Sequence, residues 1–320
     1  MKETHSPRII GILRGMETTF PDTLITYINE HYNQQNVFAE FVQIGAVKMH
    51  DKPRYAVILD RISHEVPFYR SYVKAMALKG TYIVNNPFWW SADDKFIDNI
   101  IAEQLGVAVP KTVILPHKDH PPNTTAQSFR NLVFPLDWED IFAYVGFPAF
   151  LKPVHGGGWR GVTRVNNPAE FFAAYDQSGT ELMMLQESIE YDRYFRCYGI
   201  NQKEAYIMPY NPAALPHLRY FDVPDTPAEP ALLQKIEQDV ITLCRALGYD
   251  MNTVEFAVRE GIPYAIDFMN PAPDADYYSV GEKHFNWVVQ ATARMLVEKA
   301  LTPRKPRPFT ANGYLEPYAE

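Results

Sequence analysis

The first 86 residues alternate short apolar runs with segments of helical periodicity, and this pattern constrains the fold more than any other feature. RIIGILRG, at residues 8–15, is an apolar run closed by glycine, and the following PDTLITYINEHYN has apolar residues at helical spacing. FAEFVQIGAV, RYAVILD and TYIVNN are further strand-like runs, and SYVKAMALKG before the last of them is helical in pattern. Such alternation predicts a parallel sheet covered by helices.

The rest of the chain has a mixed pattern. Ser91 or Asp93 is expected to cap a helix that ends near Leu105, and DWEDIFAYVGFP reads as a second capped helix. Four further segments are strand-like: VPKTVILP, LMMLQESI, YFRCYGINQ and EAYIMPY. NTVEFAVREGIPYAIDF predicts a hairpin with Glu260-Gly261 at its turn, and a last helix is expected over residues 284–301.

Composition excludes some classes of function. The 320-residue chain has a formal net charge of −8 and no block of Lys or Arg, which argues against nucleic acid as a partner. Cys197 and Cys244 lack metal-ligand spacing and are expected to be free thiols. No apolar run reaches the ~18 residues of a membrane span, and the N-terminus lacks a signal-peptide pattern. We therefore expect a cytoplasmic protein with no membrane partner.

A glycine run, FLKPVHGGGWRGVTRV, lies between two strand-like segments at residues 150–165. It matches G-x-G-x-x-G, but the β-type VTRV follows where a dinucleotide fingerprint requires a helix. The absence of Gly-Lys-Ser/Thr excludes a Walker loop, and Lys152 precedes the glycines, whereas a protein kinase carries its lysine on the next strand. A glycine hairpin whose backbone N–H groups cover phosphates fits this pattern.

Five segments in order resemble the ATP-grasp superfamily, in particular its glutathione synthetase-like and RimK-like carboxylate-amine ligases. They are VNNPFWWSADDKFIDNIIAEQLGVAVPKT, GFPAFLKPVHGGGWRGV, LMMLQESI, DRYFRCYGI and VEFAVREGIPYAIDFMNPAPD, spanning about Asp60 to Asp274. The resemblance implies an ATP-grasp fold of α+β or α/β class with an N-terminal Rossmann-like, pre-ATP-grasp domain. We expect domains at residues 1–88, 89–190 and 191–320, the second with the glycine loop and the third with the metal site.

The resemblance also implies which residues bind ATP. Two lysines and the glycine loop would contact the phosphates, and the LMMLQESI strand with the residues after it would hold the adenosine. The implied set is Lys95, Lys152, Gly156, Gly157, Gly158, Gln186, Glu187, Ile189 and Asp192, with Glu190 as a rival of Asp192 for the ribose.

The implied metal ligands are Glu255, Asp267 and Asn270, which would hold Mg²⁺, with Mn²⁺ as the alternative. The family usually has one spacer between its acidic residue and asparagine, whereas Asp267-Phe-Met-Asn270 has two. Strand alternation would put Asp267 and Asn270 on opposite faces unless a bulge or turn intervenes. Arg196, with Arg193 as its rival, would stabilise charge near the γ-phosphate.

The activity implied is an ADP-forming ligation, through an acyl phosphate, of an amino acid or peptide carboxylate to an amine. Candidate substrate-carboxylate contacts are Arg14, Arg61 and the proline-rich segment with His217, Arg219 and Tyr220. Enzymes of this family often form dimers or tetramers, so a homo-oligomer is expected. Two alternatives remain open: a small-molecule kinase of the same fold, and an ATP-binding regulatory protein without turnover.

Overall fold

The computed structural model describes residues 6–223 and 227–302, and these form two compact units. Unit 1 contains the described residues of 6–92, 193–256 and 267–302. Unit 2 contains residues 93–192 and 257–266. The division into three domains stays a prediction.

The N-terminal part of unit 1 is an all-parallel sheet with strand order β2-β1-β3-β4, as the alternating pattern predicts. The elements are β1 (Arg8–Leu13), α1 (Thr19–His31), β2 (Val37–Phe41), β3 (Val57–Asp60), α2 (Pro67–Leu78) and β4 (Tyr82–Val84). All four residues of β3 are buried, as in a sheet covered on both faces. The strand predicted over FAEFVQIGAV ends early, at Phe41, because its partner β1 ends beside it at Leu13.

The main part of unit 2 is an antiparallel sheet with strand order β5-β8-β6-β7. Its elements are α3 (Lys95–Gln104), β5 (Thr112–Leu115), α4 (Trp138–Val145), β6 (Ala149–Pro153), β7 (Thr163–Val165), α5 (Pro168–Asp176) and β8 (Met183–Glu187). Aromatic side chains of α4 and α5 pack together, with the Trp138 and Phe171 ring centroids 5.4 Å apart. This cluster covers one face of the sheet with apolar surface.

The prediction that Ser91 or Asp93 caps α3 is wrong. Asp94 is the N-cap, and its carboxylate accepts hydrogen bonds from the backbone N–H groups of Phe96 and Ile97. Ser91 instead donates its hydroxyl to the Pro87 carbonyl, in the turn that precedes the helix. Lys95 is therefore the first helical residue.

The C-terminal sheet has strand order β10-β9-β11-β12. The elements are β9 (Arg193–Ile200), β10 (Glu204–Pro209), α6 (Pro230–Ala246), β11 (Met251–Arg259), β12 (Ile262–Asp267), α7 (Tyr277–Val280) and α8 (Glu282–Leu301). Glu260 and Gly261 have φ angles of 53° and 76°, as a type I′ hairpin turn requires, so the predicted turn is confirmed. No helix in the described part of the chain is long and apolar enough to cross a membrane.

Gly199 on β9 allows α6 to approach closely. A Cβ at this position would lie 2.5 Å from the Cys244 Sγ and 2.9 Å from a methyl carbon of Val240. We expect Gly199→Ala to lower the free energy of unfolding by about 1–3 kcal/mol, because a buried interface would be overpacked. Denaturant titration measures the change. Gly45→Ala is the control, since its Cβ would meet nothing within 4 Å, and equal midpoints for both variants would contradict the packing argument.

Candidate functional site

The start of α3 contacts the glycine loop, residues 156–158, within unit 2. Lys95 donates a hydrogen bond from its Nζ to the backbone carbonyl of Gly156, although 61 positions separate the two residues. The Asp94 cap fixes where the helix begins and so where the Lys95 side chain leaves it. The structure thus brings together two of the groups expected to bind phosphate.

The glycine loop needs glycine because of its backbone dihedral angles. Gly156 and Gly158 have φ angles of +88° and +69°, and a Cβ added at either would meet no atom within 4 Å. The limit is therefore conformational and not steric crowding by neighbours. Lys152 lies on β6, four residues before Gly156, in register with Met184 of the neighbouring β8. Lys152 therefore lies on the strand that leads into the connection containing the glycine loop.

Strand β8 holds the residues expected to read adenine, but their side chains differ in what they contact. Gln186 is buried and donates from Nε2 to the Thr112 hydroxyl at 2.9 Å, so that donor is used inside the sheet. The Glu187 backbone N–H donates to the Lys111 carbonyl at 2.9 Å. The Glu187 carboxylate accepts from the Lys111 N–H at 3.3 Å and forms an ion pair with Arg259 at 2.8 Å. Of Gln186 and Glu187, Glu187 is the one with a charged side chain.

The residues expected beside the ribose follow β8. Ile189 is buried, whereas Glu190 and Asp192 are exposed. The Asp192 backbone N–H donates to the Val258 carbonyl at 3.1 Å, which ties this segment to the hairpin tip. The ribose contacts of Asp192 and its rival Glu190 stay predictions.

The predicted metal ligands Glu255 and Asp267 lie near each other in unit 1. Burial raises the pKa of the Glu255 carboxyl, Arg196 lowers it, and the neighbouring Asp267 carboxylate raises it further. The Tyr194 hydroxyl donates to Glu255 at 2.6 Å, and an Arg196 Nη lies 3.5 Å from the other carboxylate oxygen. Two acids that repel each other in a mostly buried place favour an additional cation.

Asn270 is not subject to strand alternation, because β12 ends at Asp267. Its amide nitrogen donates to the Thr253 carbonyl at 3.0 Å. Thr253 and Glu255 are two residues apart on β11, so their side chains lie on one face of the strand. The turn after β12 therefore returns Asn270 to the strand that carries Glu255, and the two-residue spacer is compatible with a shared site.

Two buried donors beside these acids have no acceptor among the described residues. They are the Nε–H of Arg196 and the hydroxyl of Tyr220. Arg196 otherwise reaches the Thr253 hydroxyl, at 3.5 Å, and the face of the Tyr210 ring. Arg219 donates to the Tyr210 hydroxyl at 3.3 Å. A buried donor without an acceptor costs about 1–3 kcal/mol, which an incoming anion would offset.

The other arginines expected at the substrate already have contacts. Arg61 is buried and forms a two-pronged ion pair with Glu17, at 2.6 and 2.7 Å, and it also donates to the Pro273 carbonyl. These contacts use most of its donors for internal structure. Arg14 is half-exposed and lies 3.6 Å from Asp22. Their substrate roles stay predictions.

The donor set fits a hard cation on chemical grounds. Glu255, Asp267 and Asn270 offer oxygen atoms, which Mg²⁺ prefers. No group of three or more His, Cys, Asp or Glu side chains in the described ranges is arranged to hold a metal. The predicted set has only two such residues, and an amide completes it.

No family model and no curated protein matches the chain. Solved structures do match. The VanG D-Ala:D-Ser ligase from Enterococcus faecalis is 15% identical, with a TM-score of 0.63 over 93% of this chain and 100% of that one. A D-alanine–D-alanine ligase from Bacillus anthracis is 16% identical, with a TM-score of 0.62 over 92% and 98%. The structure of that ligase complexed with ATP aligns over 92% and 97%, with a TM-score of 0.59.

A RimK domain ATP-grasp protein from Sphaerobacter thermophilus aligns over 92% of this chain and 100% of that one, with 15% identity and a TM-score of 0.59. At these identities the likeness concerns the fold. The chain therefore has the ATP-grasp fold, as its motifs predicted.

Asp98 in the first turn of α3 is a residue that the motifs did not single out. Its side chain is buried beside Asp93. Burial raises the pKa of Asp98 to about 9, with further contributions from the charge of Asp93, from a side-chain hydrogen bond with Asp93 and from the charge of Asp94. The folded protein thus keeps Asp98 protonated at neutral pH, which allows it to donate to Asp93.

We expect Asp98→Asn to make stability less dependent on pH. The unfolded chain releases the Asp98 proton near pH 3.8, whereas the folded chain keeps it until about pH 9. Stability therefore falls as pH rises through this window, by at most about 1.4 kcal/mol per pH unit. Denaturant titrations at pH 4, 6 and 8 should show that the free energy of unfolding of the variant increases relative to that of the wild type as pH rises. The exposed Asp119→Asn is the control, and parallel pH profiles for wild type and Asp98→Asn would refute the assignment.

Proposed function

We propose that this protein is an ATP-dependent, ADP-forming ligase that joins the carboxylate of an amino acid or peptide to an amine. Its fold is shared with a solved D-Ala:D-Ser ligase and with a solved D-alanine–D-alanine ligase, the second of which was also solved with ATP. The site chemistry within each unit supports the same class of reaction.

The observation that carries the proposal is the cluster in unit 1. Glu255 and Asp267 are neighbouring acids, and the buried Arg196 beside them has an Nε–H without an acceptor among the described residues. Such a combination is costly in a folded core unless a ligand completes it. A cation and an anion bound together, as in a metal–nucleotide complex, would satisfy both the acids and the arginine.

In this proposal, unit 2 contributes the nucleotide contacts. Lys95, Lys152 and the backbone amides of residues 156–158 hold phosphate oxygens, since ammonium groups and unhindered N–H groups both suit a polyanion. Glu187 and the backbone of the segment after it hold the adenine, Ile189 packs on it, and Asp192 or Glu190 reaches the ribose. The buried Gln186 supports the strand through Thr112.

Unit 1 would hold the metal through Glu255, Asp267 and Asn270. Mg²⁺, with Mn²⁺ as the alternative, would neutralise phosphate charge and act as a Lewis acid when bound. Arg196, with Arg193 as its rival, donates to the transferring phosphoryl group as charge builds there. Arg14 and the segment with Arg219 and Tyr220 are proposed to hold the substrate carboxylates.

The reaction proceeds in two displacements. A carboxylate oxygen of the first substrate attacks the γ-phosphorus, the bond to the β–γ bridging oxygen breaks, and ADP leaves. The lone pair of the amine then attacks the acyl carbon, and inorganic phosphate leaves as the amine loses a proton. Because water would hydrolyse the acyl phosphate, the glycine loop is proposed to exclude it.

Incubation with ATP, Mg²⁺ and pools of amino acids and dipeptides tests this function. We expect equimolar ADP and phosphate together with a condensed product that mass spectrometry detects. Lys152→Ala and Asp267→Asn should each lower turnover about 10²–10³-fold, since each removes charge that opposes or organises the phosphates.

Matched controls come from an exposed ion pair in unit 2, between Lys118 and Asp176. Lys118→Ala and Asp176→Asn should leave turnover unchanged. A stable phosphorylated product would favour the kinase, and ATP binding without turnover would favour the regulatory protein. Failure of the wild type to bind ATP would refute the proposal.

A further inference from the structure

Two side-chain contacts join β9 to the neighbouring strand β11 beside the proposed metal site, within unit 1. The Tyr194 hydroxyl donates to Glu255 Oε2 at 2.6 Å. An Nη of Arg196 lies 3.5 Å from the Thr253 hydroxyl. The two residues on β9 are two positions apart, and so are the two on β11, so each pair lies on one face of its strand. The contacts show that both pairs share the same face of the sheet.

Arg196 makes weak use of its donors. Its side chain and that of Glu255 are only 15% and 13% exposed, yet the ion pair between them is 3.5 Å long, whereas a charge-assisted hydrogen bond measures about 2.7–2.9 Å. The Nε–H of Arg196 has no acceptor among the described residues. In the same unit, the buried Arg61 holds Glu17 with two hydrogen bonds of 2.6 and 2.7 Å. Arg196 and Glu255 thus stop short of the two-pronged pair that their residue types allow.

The hydrogen bond from Tyr194 explains this difference. A tyrosine hydroxyl keeps its proton at neutral pH, and here it donates to one oxygen of Glu255 while the other oxygen is the one nearer Arg196. The carboxylate cannot turn both oxygens toward the guanidinium without breaking that hydrogen bond. A carboxylate has about four acceptor sites, so the tyrosine uses one of them and leaves others for a cation.

We propose that Tyr194 is a positioning residue that holds Glu255 back from Arg196, so that the carboxylate stays available to a metal ion and the guanidinium to a nucleotide phosphate. This inference rests on the proposed function. Without the tyrosine hydroxyl, Glu255 and Arg196 would close into a two-pronged pair like the one that Arg61 makes. Each would then lose acceptor or donor sites that a metal–nucleotide complex needs. Tyr194 acts through Glu255 and touches no reacting atom.

Binding of the β,γ-imido analogue of ATP, which is not hydrolysed, tests the role of Tyr194 without turnover. Calorimetry gives its Kd with Mg²⁺ and with EDTA, and the ratio of the two values measures how much the metal tightens binding. We expect the wild type to bind the analogue more tightly with Mg²⁺. Tyr194→Phe removes only the hydroxyl, and it should lower this ratio about tenfold or abolish the metal effect, as when an outer hydrogen bond to a metal ligand is lost.

Arg196→Gln distinguishes the two residues that could hold Glu255. If Tyr194 positions the carboxylate, this variant binds the analogue more weakly in both conditions but lowers the ratio by no more than about threefold. When Tyr194→Phe is added to Arg196→Gln, the ratio should again fall by less than about threefold, because Glu255 has no guanidinium to close on. A loss at Tyr194 that is merely structural would be additive instead.

The matched control is Tyr175→Phe in unit 2. It also removes a hydroxyl from a buried tyrosine, one that donates to the Pro116 carbonyl, and it should keep the wild-type Kd values. A crystal structure of Tyr194→Phe adds a direct readout. It should show two nitrogen–oxygen contacts of about 3 Å or less between Arg196 and Glu255.

The outcomes separate this inference from the proposed function. A wild type that binds the analogue in neither condition refutes the proposed function, and one that Mg²⁺ does not affect refutes the metal site and this inference with it. A wild type that responds to Mg²⁺, with Tyr194→Phe keeping the full ratio or losing as much of it in the Arg196→Gln background, refutes the role of Tyr194 and leaves the ligase proposal standing. If Tyr194→Phe does not fold, Arg196→Gln decides, and a ratio about tenfold lower would show that the arginine holds Glu255 and overturn the inference.

Discussion

The placement of ionised groups in the apolar C-terminal sheet is the constraint on which the rest of unit 1 depends. Glu255 lies on β11 between fully buried neighbours, and burial raises its pKa. The Tyr194 hydroxyl and Arg196, both on β9, are the groups that keep the carboxylate in place. Since Asp267 adds a second acid, the sheet carries more negative charge than Arg196 alone neutralises. That imbalance, together with the Arg196 Nε–H that has no acceptor among the described residues, is what the proposed metal–nucleotide complex would offset.

In unit 2 the main constraint is the conformation of the backbone. The glycine loop has positive φ angles at Gly156 and Gly158, and its residues 156–158 are exposed. Lys95 touches the loop because the Asp94 cap starts the helix at the right residue. The hairpin tip in turn fixes the carboxylate of Glu187 through Arg259. The groups proposed to bind the nucleotide are thus arranged mainly by local backbone geometry.

Much of the fold could be predicted, because strand and helix periodicities reflect burial that is local in sequence. The parallel N-terminal sheet, the capped helix ending at Gly146 and the Glu260-Gly261 turn all follow from such patterns. The residue that caps α3 could not be chosen from the sequence among Ser91, Asp93 and Asp94. Ser91 donates to the Pro87 carbonyl, and only the geometry of the turn shows that Asp94 is the cap. The motifs indicated the candidate site residues, but Tyr194, Asp98 and Arg259 lie inside the motif segments without an implied role. The partners of Tyr194 and Arg259 are distant in sequence, and the pKa of Asp98 depends first on its burial.

The amino-acid sequence alone determined the class of fold, the place of the glycine loop between two strands, and the acids and bases available for chemistry. Those properties depend on residue type and short-range spacing. Only the tertiary structure decided that Asn270 returns to Thr253 despite its extra spacer, that Arg61 pairs with Glu17, and that Arg259 orients Glu187. Each of these is a contact between chain segments whose approach is set by packing, and hydrogen-bond geometry of that kind leaves no periodic trace in the sequence.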